Sequence, residues 1–177
     1  IDVEEAKSLE LHNVAELSQE VEVYGKVQEI VEQKDFSKLR QLLKNVKDIP
    51  EELQLNIVHL ILTYEKSQDS VRQMLQKVFS LPMTEMLLID GLREVEFPVV
   101  FKMMKIIHEF LIEAKDDDEL GQLLTWGTLT LNAHFTNFLL ANDDDVLRLL
   151  NEFSATVNSL ESNIHTVTTL LPITKLI

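Results

Sequence analysis

LLTWGTLTLNAHFTNFLL, running from Leu123 to Leu140, decides how the rest of the chain is read. It holds no acidic or basic side chain apart from His134 and contains the protein's single tryptophan, Trp126. The acidic triplets Asp116 to Asp118 and Asp143 to Asp145 bound it on either side. A helix that is apolar on most of its faces has to be surrounded by other elements. The run touches the lower length limit for a membrane span, yet Asn132, His134, Asn137 and four threonines sit inside it, with six aspartates guarding its ends. Polar groups at that density argue against a span. The stretch is expected to be the central buried helix of an all-α domain.

Composition supports that class. The 177 residues include only four glycines and four prolines, which leaves little turn material for a sheet protein. A chain of this size can bury one substantial core or form an extended helical array. The formal charge of −14 argues against unaided binding of a nucleic-acid backbone, which needs clustered Lys and Arg. Basic protein partners remain open to such a surface. The absence of cysteine excludes disulfides and thiolate zinc sites and fits a reducing compartment. Because the chain starts at Ile1, it is expected to be a fragment of a larger protein.

Outward from the opening stretch, apolar residues recur in steps of three and four. The first segment carries Val14, Leu17, Val21, Tyr24, Val27, Ile30 and Val31 on a narrow stripe, the pattern of an amphipathic helix. Further helices are expected over Phe36 to Val46, Glu51 to Glu65, Ser67 to Phe79, Thr84 to Leu92 and Val99 to Ala114. Asp35 opens the first of these, while Pro50 and Pro98 suit the first turns of the second and fifth. The fifth is expected to bury Val100, Phe101, Met104, Ile107, His108, Leu111 and Ile112. After Asn142 or Asp143, a final helix runs through Val146, Leu149, Leu150, Phe153, Val157, Leu160, Ile164 and Val167 until Pro172. The expected fold is all-α, an antiparallel helical bundle or irregular α-solenoid of about seven to nine helices. Residues 1–34 would form a long N-terminal amphipathic helix or helix pair, and residues 35–177 a helical assembly domain.

No catalytic constellation emerges. His12, His59, His108, His134 and His165 include no pair one turn apart with an acidic companion, as a zinc helix requires. His108 and His134 lie on apolar helices and could approach each other, but core histidines satisfied by their neighbours are the favoured reading. The Asp triplets lack the alternation, the glycine and the distal glutamate of a calcium loop, and read as helix-capping carboxylates. Met83, Met86, Met103 and Met104 read as adaptable core filling. Lys38, Arg40, Lys44 and Lys47 form the one basic cluster, a candidate RNA contact that more simply solvates a helix face and its C-terminus. No cofactor, metal or small-molecule ligand is expected, and no enzyme.

One pattern points further. A short helix at Leu75 to Phe79 is followed by a Leu-rich hairpin, Met86-Leu87-Leu88-Ile89-Asp90-Gly91-Leu92, and the junction Val95-Glu96-Phe97-Pro98. A helix at Phe101 to Leu111 comes next, then Trp126 with Leu129-Thr130-Leu131-Asn132-Ala133-His134-Phe135-Thr136, then the long helix from Val146. Over residues 75–170 this arrangement resembles the helical C-terminal domain of UtpA (t-UTP) subunits of the small-subunit processome. It is most like a metazoan member of that group in which a tryptophan is closely followed by Leu-Leu-Asp-Ala-(His or Asn)-Phe-Thr. Asp48-Ile49-Pro50-Glu51, after its Leu-rich helix, extends the likeness back to about residue 36. Asn132 stands where Asp is common in the family, Thr130 interrupts the leucines, and Leu170 to Ile177 has no counterpart.

The resemblance implies a β-propeller upstream of Ile1 and a nuclear, nucleolar location. It also implies assembly with related C-terminal domains of sister subunits during early pre-rRNA processing and small ribosomal subunit assembly, with contact to pre-rRNA indirect. In it, Trp126, Ala133, His134, Phe135 and Thr136 are the family-identifying core. The candidate interface is placed on the flanking long helices, at Leu17, Val21, Tyr24, Leu149, Phe153, Val157 and Leu160. The alternative is a helical adaptor outside ribosome biogenesis, in vesicle tethering or transcription.

Overall fold

The computed structural model describes residues 21–174, with side chains described as far as residue 160. All its regular structure is helical: α1 at residues 21–33, then α2 (Phe36–Asn45), α3 (Glu51–Tyr64), α4 (Gln68–Phe79), α5 (Glu85–Arg93), α6 (Phe97–Glu113), α7 (Asp117–Ala133), α8 (Phe135–Leu140) and α9 (Asp144–Thr174). The all-α expectation is met, and the expected helices lie within a few residues of those observed. The chain divides into two compact units, Ile1–Gly91 and Leu92–Ile177. The sequence reading sets a boundary after residue 34 instead. Val27 and Ile30 of α1 are buried, and the unit that contains α1 extends to Gly91.

In the first unit, α1 ends where Lys34 turns left-handed (φ 52°) and the Asp35 N–H reaches back to the Ile30 carbonyl at 3.2 Å, a helix stop that usually recruits glycine. The Lys34 ammonium lies 3.7 Å from the centre of the Tyr64 ring. Asp35 then caps α2, its carboxylate accepting from the N–H groups of Ser37 and Lys38 at 3.0 Å each. Leu39 and Leu43, one turn apart on α2, are buried as α2 packs on α4. α3 is the enclosed helix of this unit: Leu53, Gln54, Leu55, Ile57, Val58, Leu60 and Ile61 are all buried. Gln54 is the one polar member. Its amide donates to the carbonyls of Ile49 at 2.7 Å and Pro82 at 2.8 Å, tying the loop before α3 to the loop between α4 and α5. The helix expected over Thr84 to Leu92 is α5, and the run Met86 to Leu92, which the family resemblance casts as a hairpin, lies within that single helix.

Glu65 closes α3 and joins it to its neighbours. Its carboxylate accepts from the backbone N–H groups of Lys66 (2.8 Å) and Ser67 (3.0 Å) and from the Ser70 hydroxyl (3.1 Å), with Arg40 at 3.8 Å. The Ser67 N–H does most to hold this carboxyl below the usual range; burial pulls the other way, and Ser70, Lys66 and the Arg40 charge add to the lowering. A depressed folded-state pKa means stability that is present above the unfolded value, about 4.3, and lost as pH falls through the folded value. Glu65→Gln is therefore expected to cost about 1–2 kcal/mol at pH 7. The gap from the parent should narrow as pH falls from 7 to 3. Denaturant titration at the two pH values checks this, and a gap that is the same at both would contradict the assignment.

In the second unit, α6 packs against α7 and α9, and α7 against α8. Pro98 sits in the first turn of α6, where its missing N–H costs nothing. The buried face of α6 comprises Val99, Val100, Met103, Met104, Ile107, His108, Phe110 and Leu111. Two expected members depart from it: Ile112 is exposed and Phe101 half-buried. The real stripe includes Met103 and Phe110, and its rotation turns Ile112 outward. Asp116 caps α7 through the Glu119 N–H at 2.8 Å, and Asp143 does the same for α9 through Asp145 (2.8 Å) and Val146 (3.4 Å). Both acidic triplets thus act as helix starts, as expected. The backbone of α9 continues two residues beyond the Pro172 at which it was expected to stop.

Trp126 is fully buried, but the stretch around it is not one helix. The break comes at His134 (φ −118°, ψ 21°), and from there the segment returns toward the surface. A single central buried helix from Leu123 to Leu140 is therefore corrected to a buried α7 and a short, one-sided α8.

Candidate docking surface

The break at His134 is held from several directions. The His134 Nε2 lies 2.7 Å from the Leu92 carbonyl, which can only accept, so the ring proton resides on Nε2. Nδ1 is then free to accept from the Asn137 amide at 3.0 Å. One turn earlier, the buried Thr130 hydroxyl donates to the Trp126 carbonyl at 2.7 Å, a back-bond that bends helices. Beyond the break, Phe138 packs edge-on against Phe97, ring centres 5.0 Å apart, and Phe97 also lies 6.4 Å from the His134 ring. Such edge-to-face pairs add to simple burial.

With Phe138 as the inward anchor, α8 turns its remaining apolar residues to solvent. Phe135 is 60% exposed, Leu139 59% and Leu140 76%. Phe135 and Leu139 are one turn apart on the same side, and together with Thr136 and Leu140 they cover about 140° of the helix circumference. Beyond the turn, Leu147 on α9 is 47% exposed. Between them stand Asp143, Asp144 and Asp145, all exposed. Asn142 makes the turn with φ 44°, a conformation that asparagine tolerates better than most residues. Exposed apolar side chains grouped on one helix beside exposed carboxylates suit a protein-binding surface.

The residues expected at the interface fall differently. Leu149 and Phe153 are buried within the second unit, so their assignment as interface residues is corrected. The stripe they begin faces α6 and α7. A Cβ on Gly127 of α7 would come within 2.6 Å of the Phe153 ring, so the glycine makes room for that ring. Val157, Leu160 and Tyr24 are half-buried, Val21 is exposed, and Leu17 lies outside the described residues. Of the expected family-identifying core, Trp126 and His134 are buried and Ala133 is half-buried. Phe135 and Thr136 are exposed, and their assignment to the core is corrected. Leu139, Leu140 and Leu147 were missed as surface residues. The available signal was their position beside the Asp143 to Asp145 triplet.

The other candidate sites are occupied with structure. His108 donates from Nε2 to the Thr156 hydroxyl at 3.0 Å, since that hydroxyl spends its own proton on the Glu152 carbonyl, and its ring rests 6.3 Å from that of Phe153. His108 and His134 therefore each serve a separate packing contact. In the basic cluster, Lys38 bonds Glu29 (2.8 Å) and Gln33 (3.1 Å), and Arg40 bonds Ser70 (2.7 Å). The Lys38 bond and charge hold the Glu29 carboxyl below its usual range. Lys44 and Lys47 have no ion pair among the described residues. An open groove of 360 Å³ between α1 and α2 is lined by Lys26, Glu29, Ile30, Lys38, Gln41, Leu42 and Asn45, but its two lysines are paired with Glu22 and Glu29. Among the described residues, no three His, Asp or Glu side chains are grouped to hold a metal, and no helix is long and apolar enough to cross a membrane.

Compared with known families and with characterised proteins, the sequence matches no family model and no individual protein.

Proposed function

We propose that this chain is a non-catalytic helical scaffold domain of a UtpA-type subunit, most like nucleolar protein eleven. Its work is docking onto the helical C-terminal domains of sister subunits during early pre-rRNA processing and small ribosomal subunit assembly, in the nucleolus. The observation that carries the docking role is the solvent-facing apolar group on α8, beside three exposed aspartates. The pathway rests on the resemblance around Trp126 and Asn132 to Thr136. Supporting the non-catalytic part, the two histidines on apolar helices are engaged in packing bonds. An interface built this way draws most of its energy from a few apolar anchors, with its acidic rim setting specificity and approach. Contact with pre-rRNA is indirect, since a charge of −14 repels a phosphate backbone.

Pull-down by this chain of the helical C-terminal domains of its sister subunits tests the assignment. Association at micromolar concentration is expected, and its absence would remove the pathway claim. The same surface would also serve a helical adaptor in vesicle tethering or transcription. A nuclear but non-nucleolar location of the full protein would favour that alternative.

A further inference from the structure

We propose that α8 and the turn into α9 receive a basic amphipathic helix from a partner protein, its apolar residues seated on Phe135, Leu139, Leu140 and Leu147 and its lysines or arginines facing Asp143 to Asp145. The inference deepens the docking reading and rests on it, but does not depend on the ribosomal pathway. Phe135, Leu139 and Leu140 are exposed on α8, whose other side is fixed by Phe138 against Phe97, and Leu147 is exposed in the first turn of α9. The surface is therefore presented by a supported element, so little ordering is needed on this side when a partner arrives. A helix with apolar residues at intervals of three and four presents a matching apolar stripe to an exposed helix face of this kind.

Charge selects among the possible occupants. Asp143 is committed to capping α9 and Asp145 is shared with Arg148 at 2.6 Å, yet all three carboxylates remain exposed. An anionic lipid surface or a nucleic acid would bring further negative charge against them. A second copy would do the same. A two-fold contact through α8 places each patch against its own equivalent, triplet near triplet, between two chains that each carry −14. A helix flanked by lysine or arginine satisfies both the apolar group and its rim.

The experiment uses the full chain and a fluorescein-labelled synthetic peptide of leucine and lysine at amphipathic spacing, alongside a matched peptide with glutamate in place of lysine. The lysine peptide is expected to bind at micromolar concentration and the glutamate peptide at least about tenfold more weakly. Leu139→Ser with Leu140→Ser should weaken the lysine peptide by about tenfold or more, and circular dichroism should show an unchanged helix content because both residues are exposed. Asp144→Asn should weaken binding by a few-fold and flatten its salt dependence. Binding unaffected by the double serine variant would mean general attraction to an acidic protein and would overturn the proposal. So would equal affinity for the glutamate peptide, or a dimer in sedimentation that the double serine variant abolishes. Peptide binding that passes these tests while sister domains fail to associate would leave the docking site standing and remove the pathway assignment alone.

Discussion

Gln54→Glu is expected to cost about 3–5 kcal/mol of stability at pH 7, the range for a buried charge left without compensation. The change is one atom in size. Gln54 is fully buried, and its amide nitrogen supplies hydrogens to two carbonyl oxygens, those of Ile49 and Pro82. A carboxylate has no hydrogen to give and would point its charge at both acceptors. Only the protonated acid can keep one of the two bonds. Its folded-state pKa would thus be raised above the unfolded value of about 4.3, so the penalty is small below that value and grows as pH climbs through it. At pH 4 the cost should shrink to about 1–2 kcal/mol, that of one lost hydrogen bond. Gln54→Leu loses both bonds without introducing charge and should show an intermediate, pH-independent loss. Paired denaturant titrations at pH 4 and 7 read the difference. Equal losses for Gln54→Glu at both would show that the amide is not holding the two loops.

Phe153→Ala is expected to destabilise the second unit by about 3–5 kcal/mol. The ring is buried beside His108 and fills the space that Gly127 leaves open on α7. Gly127→Ala alone gains about 1 kcal/mol of helix propensity but drives a methyl into that ring, at a cost of about 1–3 kcal/mol. In the double variant the methyl enters the hole left by the lost ring. The combined loss should then fall short of the sum by about 1 kcal/mol. Trp126, the only tryptophan, lies in the same unit and reports the transition by fluorescence. Strict additivity would separate the two positions. A Phe153→Ala chain of normal stability but poor partner binding would return that residue to the interface.

Those two residues also show where the sequence was legible and where it was not. Helix positions followed from local signals that need no tertiary knowledge: Asp35, Asp116 and Asp143 as caps, Pro98 in a first turn, and three- and four-residue apolar steps. What lay beyond reach depended on partners distant in the chain. The break at His134 has no glycine or proline to announce it and is held by the Leu92 carbonyl, 42 residues away, and by Phe97. Leu149 and Phe153 repeat at helical intervals, and a stripe facing its own domain has the same spacing as one facing a partner. Gln54 is a residue type that usually faces solvent, and only the two loop carbonyls make its burial tolerable. The surface on α8 was hidden for a related reason: six residues, four of them apolar, after a buried run look like more of the same helix until the break is known.

The pairing of exposed leucines with exposed aspartates also governs how the chain behaves in concentrated solution. At neutral pH the charge of −14 keeps molecules apart in spite of the α8 leucines. Near the isoelectric point of about 4.7 that long-range repulsion vanishes while the leucines stay uncovered, so colloidal stability falls. The acidic character of the protein therefore works as a solubility device for a sticky ridge, and a basic partner that neutralises it locally would remove the barrier only where binding occurs.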